Sequence, residues 1–324
     1  MPSAARRGSF IPRGANTKGY EMQRALSRIF SEFSVLECDF FPSYPLSELT
    51  TFRIGGPCTV LAVPKSIPVF ISLLSRLDEE GIPRAVLGNG SNILASDEGY
   101  RGVVIRTTAL RAVSHLSNML TADCGVPLSA IVRLANANGI SGFSRLAGIP
   151  ATLGGALFMN AGAFGECIGD RVLAVRAVPS SGGTPLVLTR EECLFDYRKS
   201  VFQAHSLVIL SADLVGRASL PNTLEDESRE VLAARAKKQP LDLPSAGSAF
   251  RRPEGSYAGR LIEAAGLAGY RIGGASVSVK HAGFIVNHGG ASAADVKALV
   301  DYIRNTVFER FGILLMREIE YLGE

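Results

Sequence analysis

Two glycine-rich segments carry the clearest chemical signal in this sequence of 324 residues. Residues 88–92, Gly-Asn-Gly-Ser-Asn, directly follow the apolar residues 85–87. Glycine lets the backbone approach a ligand closely, and successive N–H groups with the side chains of Ser91 and Asn92 form a concavity of donors suited to a pyrophosphate. The segment is not a Rossmann fingerprint, because Ile93 stands at the third glycine position and no helix pattern follows. A tight surface turn is the alternative interpretation.

The second segment, residues 147–165, alternates glycine and other small residues with apolar ones and contains no charged side chain. Such a backbone offers main-chain hydrogen bonds and leaves space beside a flat ring system. A glycine-rich segment that packs against a helix is the alternative. Together, two separate uncharged glycine-rich segments favour a large bound cofactor.

Histidine and cysteine form no comparable site. His281 and His288 are seven residues apart, but the turn at Gly289 and Gly290 and the lack of a third ligand argue against a metal site. The cysteines are odd in number, widely spaced and never arranged as C-x-x-C: Cys38, Cys58, Cys124, Cys167 and Cys193. We therefore expect reduced thiols in a cytoplasmic protein and no bound metal.

The charge of the chain is nearly balanced once its start is set aside. The formal net charge is +4, and residues 1–21 hold +3 of it through Arg6, Arg7, Arg13 and Lys18 against Glu21. We interpret residues 1–21 as a flexible basic tail. The rest has no cluster of positive residues and no apolar run near the roughly 20 residues of a membrane span, so we expect neither nucleic acid nor membrane as a partner.

Alternating strand and helix patterns position both glycine-rich segments. Residues 58–63 are β-prone, Ser66 and Pro68 begin a helix that ends at Gly81, and residues 85–87 form a buried strand. A second α/β stretch contains a strand from residue 119, a helix between Pro127 and Gly139, and strands at 171–178 and 207–215. The first glycine-rich segment therefore lies at the exit of a β-α-β unit.

The pattern changes to α+β after residue 222. Thr223 and Asp226 have the spacing of a capping box for a helix that continues to Lys238 before Pro240. The later elements are a helix at 258–265, strands at 275–279 and 283–287, a long helix opened by Ser292 and Asp295 and ended by Gly312, and a final strand at 314–322.

Five motifs in order give the chain a specific resemblance. They are Thr-Phe-Arg-Ile-Gly-Gly-Pro at 51–57, Leu-Gly-Asn-Gly-Ser-Asn at 87–92, residues 154–165, Asp-Tyr-Arg-Lys-Ser at 196–200 and Ala-Gly-Ser-Ala-Phe at 246–250. Over residues 45–323 the chain resembles the UDP-N-acetylenolpyruvoylglucosamine reductases of bacterial peptidoglycan synthesis. The resemblance implies an α/β FAD-binding domain of the para-cresol methylhydroxylase type at 22–217, with lobes at 46–110 and 111–217, and a smaller α+β substrate domain at 222–324.

The resemblance also implies FAD as cofactor and NADPH as hydride donor. Residues 80–110 contain no histidine that would attach a flavin covalently, so we expect non-covalent FAD. The implied FAD contacts are Arg53, Ile54, Gly55, Gly88, Asn89, Gly90, Ser91, Asn92, Ile93, Gly148, Thr152, Gly154, Gly155, Ala156, Asn160, Gly162 and Ala163.

The implied reaction reduces an enolpyruvyl ether to a lactyl ether. A carbon–carbon double bond accepts a hydride only if the attached carboxylate takes up negative charge, so a cation must face that carboxylate and another group must protonate the neighbouring carbon. Arg198 matches the family's catalytic arginine, and a guanidinium binds a carboxylate through two parallel bonds. Ser248 matches the proton donor. Without the resemblance, Arg198 reads as a surface partner of Asp196 and residues 246–249 as a turn.

Glu318 matches the family's catalytic glutamate. Strand alternation places it on the face of Leu314 and Met316, where apolar neighbours would raise its pKa and let it donate a hydrogen bond to the developing enolate. A solvent-facing residue on an edge strand is the alternative, which Glu320 on the same face supports.

For the UDP-sugar substrate we expect contacts from Tyr197, Arg271, Lys280 and Asn287, in a monomeric enzyme. Some positions depart from the family's common pattern: Ala151, Phe164, Arg317 and Glu320, of which Glu320 puts a cofactor-phosphate contact from that strand in doubt. The 50-residue spacing from Arg198 to Ser248 resembles the shorter type, which lacks an extra tyrosine-bearing loop.

Two other functions stay open on the sequence alone. One is a different FAD oxidoreductase on the same scaffold, acting on a 2-hydroxy acid or a sugar lactone. The other is a nucleotide-binding or regulatory module that has lost catalysis, against which the joint presence of Arg198, Ser248 and Glu318 argues.

Overall fold

Three sheets, each covered by helices, follow one another along the chain in the computed structural model, which describes residues 17–35 and 37–323. Most of the predicted basic tail lies outside the described residues. The first helix, α1 (Thr17–Val35), begins inside that predicted tail. Its residues Ala25, Leu26, Ile29 and Phe33 form one buried stripe against the first lobe.

The first lobe contains the predicted β-α-β unit. Its elements are β1 (Cys38–Pro45), β2 (Pro57–Pro64), α2 (Ile67–Glu79), β3 (Arg84–Leu87), β4 (Ile93–Ala95) and β5 (Tyr100–Arg106). The sheet order is β1-β2-β5-β3, in which β5 pairs in parallel with both β2 and β3. Ser66 caps α2 as predicted, since its hydroxyl accepts a hydrogen bond from the N–H of Val69.

The second lobe is an antiparallel sheet of order β12-β11-β13-β7-β6. Its elements are β6 (Val113–Leu116), β7 (Met119–Asp123), α3 (Leu128–Ala137), β8 (Ile140–Ser141), α4 (Leu153–Phe158), β9 (Gly162–Ala163), β10 (Glu166–Cys167), β11 (Val172–Pro179), β12 (Leu186–Thr189), α5 (Val201–Ala204), β13 (Leu207–Val215) and β14 (Arg217–Ala218). One apolar core runs from α1 through both lobes, which fixes the cleft between them.

The last part is α+β, as predicted. It contains α6 (Pro221–Lys238), β15 (Ser245–Ser248), α7 (Ala258–Ala264), β16 (Arg271–Ile272), β17 (Ala275–Val277), β18 (Phe284–Asn287), α8 (Ala293–Phe311) and β19 (Glu320–Leu322). Ser292 and Asp295 form the predicted capping box of α8, and Gly312 ends the helix in a left-handed conformation. Among the described residues, no helix combines the length and the apolar character that crossing a membrane requires.

Two details of this part differ from the prediction. The capping box of Thr223 and Asp226 is wrong, because Pro221 already occupies the first turn of α6 and the carboxylate of Asp226 accepts a hydrogen bond from Arg229 instead. The final strand is much shorter than 314–322, since only β19 forms a ladder, in parallel with β4 of the first lobe.

Helix α6 lies against the second lobe. The buried side chain of Asn136 in α3 donates hydrogen bonds to the carbonyl of Leu224 and the hydroxyl of Ser228. These contacts favour a domain boundary after α6, near Gln239, while the division at residues 217 and 222 stays a prediction.

Hydrogen bonds in addition to the β19–β4 pairing tie the first lobe to the last part. The hydroxyl of Thr51 donates to the carbonyl of Ser245, and the amide of Asn287 donates to the carbonyl of Phe52. The carboxylate of Asp97 accepts from the first two N–H groups of α8, those of Ala293 and Ala294. These bonds hold the wall that carries β15 in a fixed position over the first glycine-rich segment.

Candidate active site

A cavity of about 1030 Å³ lies where the two lobes and the last part of the chain meet. This volume is at the upper end of the roughly 300–1,000 Å³ of small-molecule sites, so the cavity suits a large ligand. Both glycine-rich segments, Arg198, Ser248 and Glu318 line it. The structure therefore brings together residues that are far apart in the sequence.

The first glycine-rich segment is not a surface turn. The amide of Asn89 donates to the carbonyl of Pro150 over 2.7 Å, so the two segments touch. A side chain at Gly90, which has φ +62°, would collide with the backbone of Leu49, and one at Gly88 would collide with the hydroxyl of Thr152. No helix follows the segment, as predicted; strand β4 does.

The second segment enters the cavity wall through the short helix α4. The hydroxyl of Thr152 accepts from the N–H of Gly155, and the N–H of Gly154 donates to the carbonyl of Cys124. Because Gly154 and Gly155 have no side chains, the wall here is main chain. Both interpretations of the segment hold in part, since Gly148 packs against Leu232 and Arg235 of α6 and the segment also lines the cavity.

Most of the predicted FAD contacts line this cavity. They are Arg53, the segment 88–93, Gly148, Thr152, Gly154, Gly155, Gly162 and Ala163. Ile54 and Ala156 belong instead to the apolar core, and Gly55 packs against the side chain of Ala95. The buried amide of Asn160 accepts from the N–H of Gly169 and donates to the carbonyl of Asp196, so it shapes the loop before Arg198.

The cavity also has walls that the sequence did not predict. They include Leu74, Arg84, Phe202, residues 206–209, Arg235 and residues 239–245. Arg84 is committed to Asp78 and to the carbonyl of Ser180, whereas Arg235 has no carboxylate partner in the described part of the chain. No spacing in the sequence distinguishes these residues, since they come together only where the two lobes, α6 and the chain after it pack against one another.

The residues present fit FAD. Two glycine-rich stretches of backbone flank the cavity, apolar residues line part of it, and the buried Nε of Arg235 has no hydrogen-bond partner among the described residues. Backbone N–H groups and a cation suit a pyrophosphate, and apolar walls beside glycine suit a flat ring system.

Arg198 occupies a tight turn in the second lobe. Its φ is +55°, a left-handed conformation that costs energy in any residue other than glycine, and Asp196 and Lys199 pair on either side of it. Its Nε donates to Oε1 of Glu318 over 2.7 Å, and its Nη2 donates to the carbonyl of Gly162 over 3.2 Å. Nη1 has no hydrogen bond to any residue that the structure describes, so it is the donor left for a ligand.

Glu318 lies opposite Arg198 and is largely buried. Its N–H donates to the carbonyl of Ala249, and its own carbonyl accepts from the amide of Asn92. Burial raises the pKa of Glu318, while the charges of Arg198 and Arg251 and the hydrogen bond from Arg198 oppose the rise. The pKa is therefore raised as predicted, and the interpretation of Glu318 as a solvent-facing residue is wrong.

The reasoning from strand alternation is nevertheless wrong for this segment. The side chain of Glu318 is 12% exposed, whereas Leu314 and Met316 are 53% and 59% exposed. Residues 313–319 do not form a regular strand but make a single bridge, from Arg317 to Phe250. Without a continuous ladder the period of two is lost, and backbone bonds to Ala249 and Arg251 set the direction of each side chain.

Ser248 ends β15 and lines the same cavity. The pairing of β15 with β18 is irregular between Ser245 and Ser248, and Gly247 has φ +77°. This irregularity turns the end of the strand, as a bulge does when it redirects a side chain.

The predicted substrate residues do not line the cavity. Tyr197 is half exposed and its hydroxyl accepts from the N–H of Arg252, while Arg271 is exposed on β16. Lys280 donates to the carbonyl of Ala236. Asn287 has a structural role, since its side-chain amide donates a hydrogen bond to the carbonyl of Phe52 and accepts from the N–H groups of Gly289 and Ala291.

The histidines and cysteines have structural surroundings. His288 bonds the hydroxyl of Ser276, and Nδ1 of His281 accepts from the N–H of Gly283. Within residues 17–35 and 37–323 no group of side chains has the arrangement of a metal site. All five cysteines are free, and burial raises the pKa of each thiol, for Cys38 and Cys124 to about 12.

Comparison with known families gives two matches along the chain. Residues 58–188 match the model of an FAD binding domain, and residues 239–322 match that of the C-terminal domain of UDP-N-acetylenolpyruvoylglucosamine reductase. The second match begins after α6. These matches fit the two-lobed FAD-binding domain of the para-cresol methylhydroxylase type and the separate α+β part.

Individual relatives match over nearly the whole chain. The UDP-N-acetylenolpyruvoylglucosamine reductase of Caldanaerobacter subterraneus subsp. tengcongensis is 45% identical over 86% of this chain and 92% of its own length. The enzyme of the same name from Caldicellulosiruptor bescii is 42% identical over 88% of this chain and 91% of its own length. A crystal structure of the reductase from Thermus caldophilus superposes with a TM-score of 0.74 at 32% identity, covering 88% of this chain and 99% of that one.

Proposed function

The chain belongs to the UDP-N-acetylenolpyruvoylglucosamine reductase family, and from this membership we propose how its own residues reduce the enolpyruvyl group of the UDP-sugar to the lactyl group of UDP-N-acetylmuramate. The observation that carries the proposal is the pairing of Arg198 with Glu318 over 2.7 Å in a cavity that Ser248 and both glycine-rich segments also line. When bound, FAD supplies the transfer of a hydride from NADPH to the substrate.

Arg198 binds and polarises the carboxylate of the enolpyruvyl group. Its Nη1 is the free donor, and its guanidinium is positioned in advance by Glu318 and by the carbonyl of Gly162. A donor fixed where negative charge develops stabilises the transition state, because no reorganisation is needed when the charge appears.

Glu318 and Ser248 handle the protons. Because its pKa is raised, Glu318 keeps its proton to higher pH than an ordinary carboxyl group, and in the protonated form it donates a hydrogen bond to the developing enolate. Ser248 Oγ gives a proton to the carbon beside the carboxylate as the hydride adds to the terminal carbon. A hydroxyl is a weak acid, so this step relies on the strong basicity of the carbanion-like acceptor.

Flavin absorbance and substrate dependence test the function. The purified protein should show flavin absorbance bands, and NADPH oxidation should require the UDP-linked enolpyruvyl sugar. Turnover of a hydroxy acid in its place would support the other oxidoreductase considered above. A protein that binds FAD and the UDP-sugar without turnover would support a regulatory module.

The predicted monomer, cytoplasmic location and domain limits belong to the same proposal. Five free, mostly buried cysteines fit a reducing compartment. Light scattering after gel filtration tests the monomer, and a dimer mass would contradict it. Limited proteolysis near Gln239 tests the domain boundary.

A further inference from the structure

Arg235 is a second, unneutralised arginine of the cavity. It lies in the last turn of α6, is 7% exposed and lines the cavity wall. Its buried Nε has no hydrogen-bond partner, and its Nη1 reaches only Oε1 of Gln239, over 3.5 Å. No carboxylate forms an ion pair with it within the described residues. Its guanidinium makes a cation–π contact with the ring of Phe164, whose centre is 5.6 Å from the Arg235 Cζ.

This arrangement costs the free protein stability. A buried guanidinium keeps its proton, and its removal from water is repaid only by an opposite charge or by hydrogen bonds. Burial lowers the pKa of Arg235, and no charge among the described residues offsets this effect. By contrast, Lys237 and Lys238, in the same turn, are exposed to water.

The side chain is also held in place. Gly148, with φ +77°, lies directly on it, since a Cβ there would come within 2.8 Å of the Arg235 Cδ. The chain that follows, residues 239–245, lines the same wall and leads to Ser248. Arg235 is therefore a fixed cation between the second glycine-rich segment and the strand that carries the proposed proton donor.

We propose that Arg235 binds a phosphoryl group of a nucleotide held in this cavity. The planar guanidinium offers parallel N–H donors that match phosphate oxygens, and the ligand supplies the negative charge that the protein does not. The inference rests on the proposed function, because FAD, NADPH and the UDP-sugar all bring phosphoryl groups to the cavity.

Inorganic pyrophosphate is the probe that tests the site without turnover. Calorimetric titration of the full-length protein, freed of FAD, should show pyrophosphate binding that is about 30-fold weaker in Arg235→Met, the size expected for loss of a hydrogen-bonded charge. Lys237→Met removes one charge from the same turn and should bind like the wild type. The melting temperature of FAD-free Arg235→Met should be no lower than that of Lys237→Met, since an uncompensated buried charge is gone.

The nucleotide concerned is identified by three constants of the same variant. A weaker Kd for FAD assigns the phosphoryl group to the cofactor, while a higher KM for NADPH or for the UDP-linked sugar assigns it to that ligand. Arg235→Lys should recover part of the affinity, because the charge returns without the fork. Unchanged pyrophosphate binding in Arg235→Met, or a fall in melting temperature with no change in any of the three constants, overturns the proposal. A wild-type protein that binds pyrophosphate through Arg235 but does not reduce the UDP-sugar refutes the proposed function alone.

Discussion

Arg198 and Arg235 face the same cavity, but the protein supplies a carboxyl partner to only one of them. Arg198 donates to Glu318 and to a backbone carbonyl, whereas Arg235 has no carboxylate partner in the described part of the chain. The first arginine is therefore fixed before any ligand arrives and has to share its charge. The second depends on the ligand for its counter-charge, so it contributes to affinity rather than to the arrangement of reacting groups.

The difference follows from the structural elements around each arginine, which we call the Arg198 end and the Arg235 end of the cavity. The Arg198 end combines a strained turn of the second lobe with Glu318, whose backbone is bonded to Asn92 of the first lobe and to Ala249. The Arg235 end is one turn of a single helix against a glycine. We therefore expect substitutions at the first end to change rate constants and substitutions at the second to change binding constants.

The largest effect is expected for Ser248→Ala. If Ser248 donates the proton, reduction of the UDP-linked substrate should slow by about 10²- to 10⁴-fold in this variant, while FAD reduction by NADPH should keep its rate. Stopped-flow absorbance measures the two half-reactions separately. Ser256→Ala, which changes a serine outside the cavity, should leave both rates unchanged. Equal slowing of both half-reactions by Ser248→Ala would mean that the residue only shapes the cavity.

Arg198→Met should lower kcat for the UDP-linked substrate by about 10²- to 10³-fold, because a donor aimed at the developing charge is lost. Arg198→Lys should recover little, since one ammonium group cannot hold both Glu318 and a substrate carboxylate in the same geometry. Separate measurements of kcat and KM show whether Arg198 acts in catalysis or, like Arg235, in binding. A change in KM alone would make Arg198 equivalent to Arg235 and remove the distinction.

The sequence predicted the regular elements well because their signals are local. The N-cap of α2 and the caps of α8 each lie within a few residues, and the structure confirms them. Asn287 shows where such reasoning ends, because its partners include Phe52, which lies far away in the sequence. The predicted rise in the pKa of Glu318 is right, but strand alternation is the wrong reason for it, since an isolated bridge replaces the regular strand. Arg235 carries no sequence signal, as its burial depends on how α6 packs on Gly148.

Asn287→Ala should affect stability and leave catalysis intact. Its buried side chain makes three hydrogen bonds, with Phe52, Gly289 and Ala291, whose partners would be left unpaired. We expect a loss of about 2–4 kcal/mol in the free energy of unfolding and a KM for the UDP-linked substrate unchanged within about twofold. Urea unfolding and steady-state kinetics measure the two. A raised KM with unchanged stability would restore Asn287 as a substrate contact, and the polar groups that bind ligand would then extend beyond the cavity wall.

The smallest effect is expected for Arg251→Met, which acts on Glu318 only through its charge. Burial raises the pKa of Glu318 and Arg251 opposes the rise, so removing this charge should raise the pKa further. Between the ordinary carboxyl pKa and the raised value, the folded state holds a proton that the unfolded chain has released, so this group's contribution to stability is lost as pH rises through that window. Activity that needs protonated Glu318 also falls as the pH rises through that window.

The alkaline limb of kcat should therefore move to higher pH in Arg251→Met, and Glu318→Gln should lose that limb. Arg252→Met is the matched control, because the Arg252 guanidinium stacks on Tyr257, 4.3 Å from the ring centre, and its charge does not act on Glu318. A limb that stays in place in Arg251→Met, or persists in Glu318→Gln, would assign the titration to another group. The Arg198 end would then use Glu318 only as a fixed counterion, and the contrast with Arg235 would reduce to the presence or absence of that counterion.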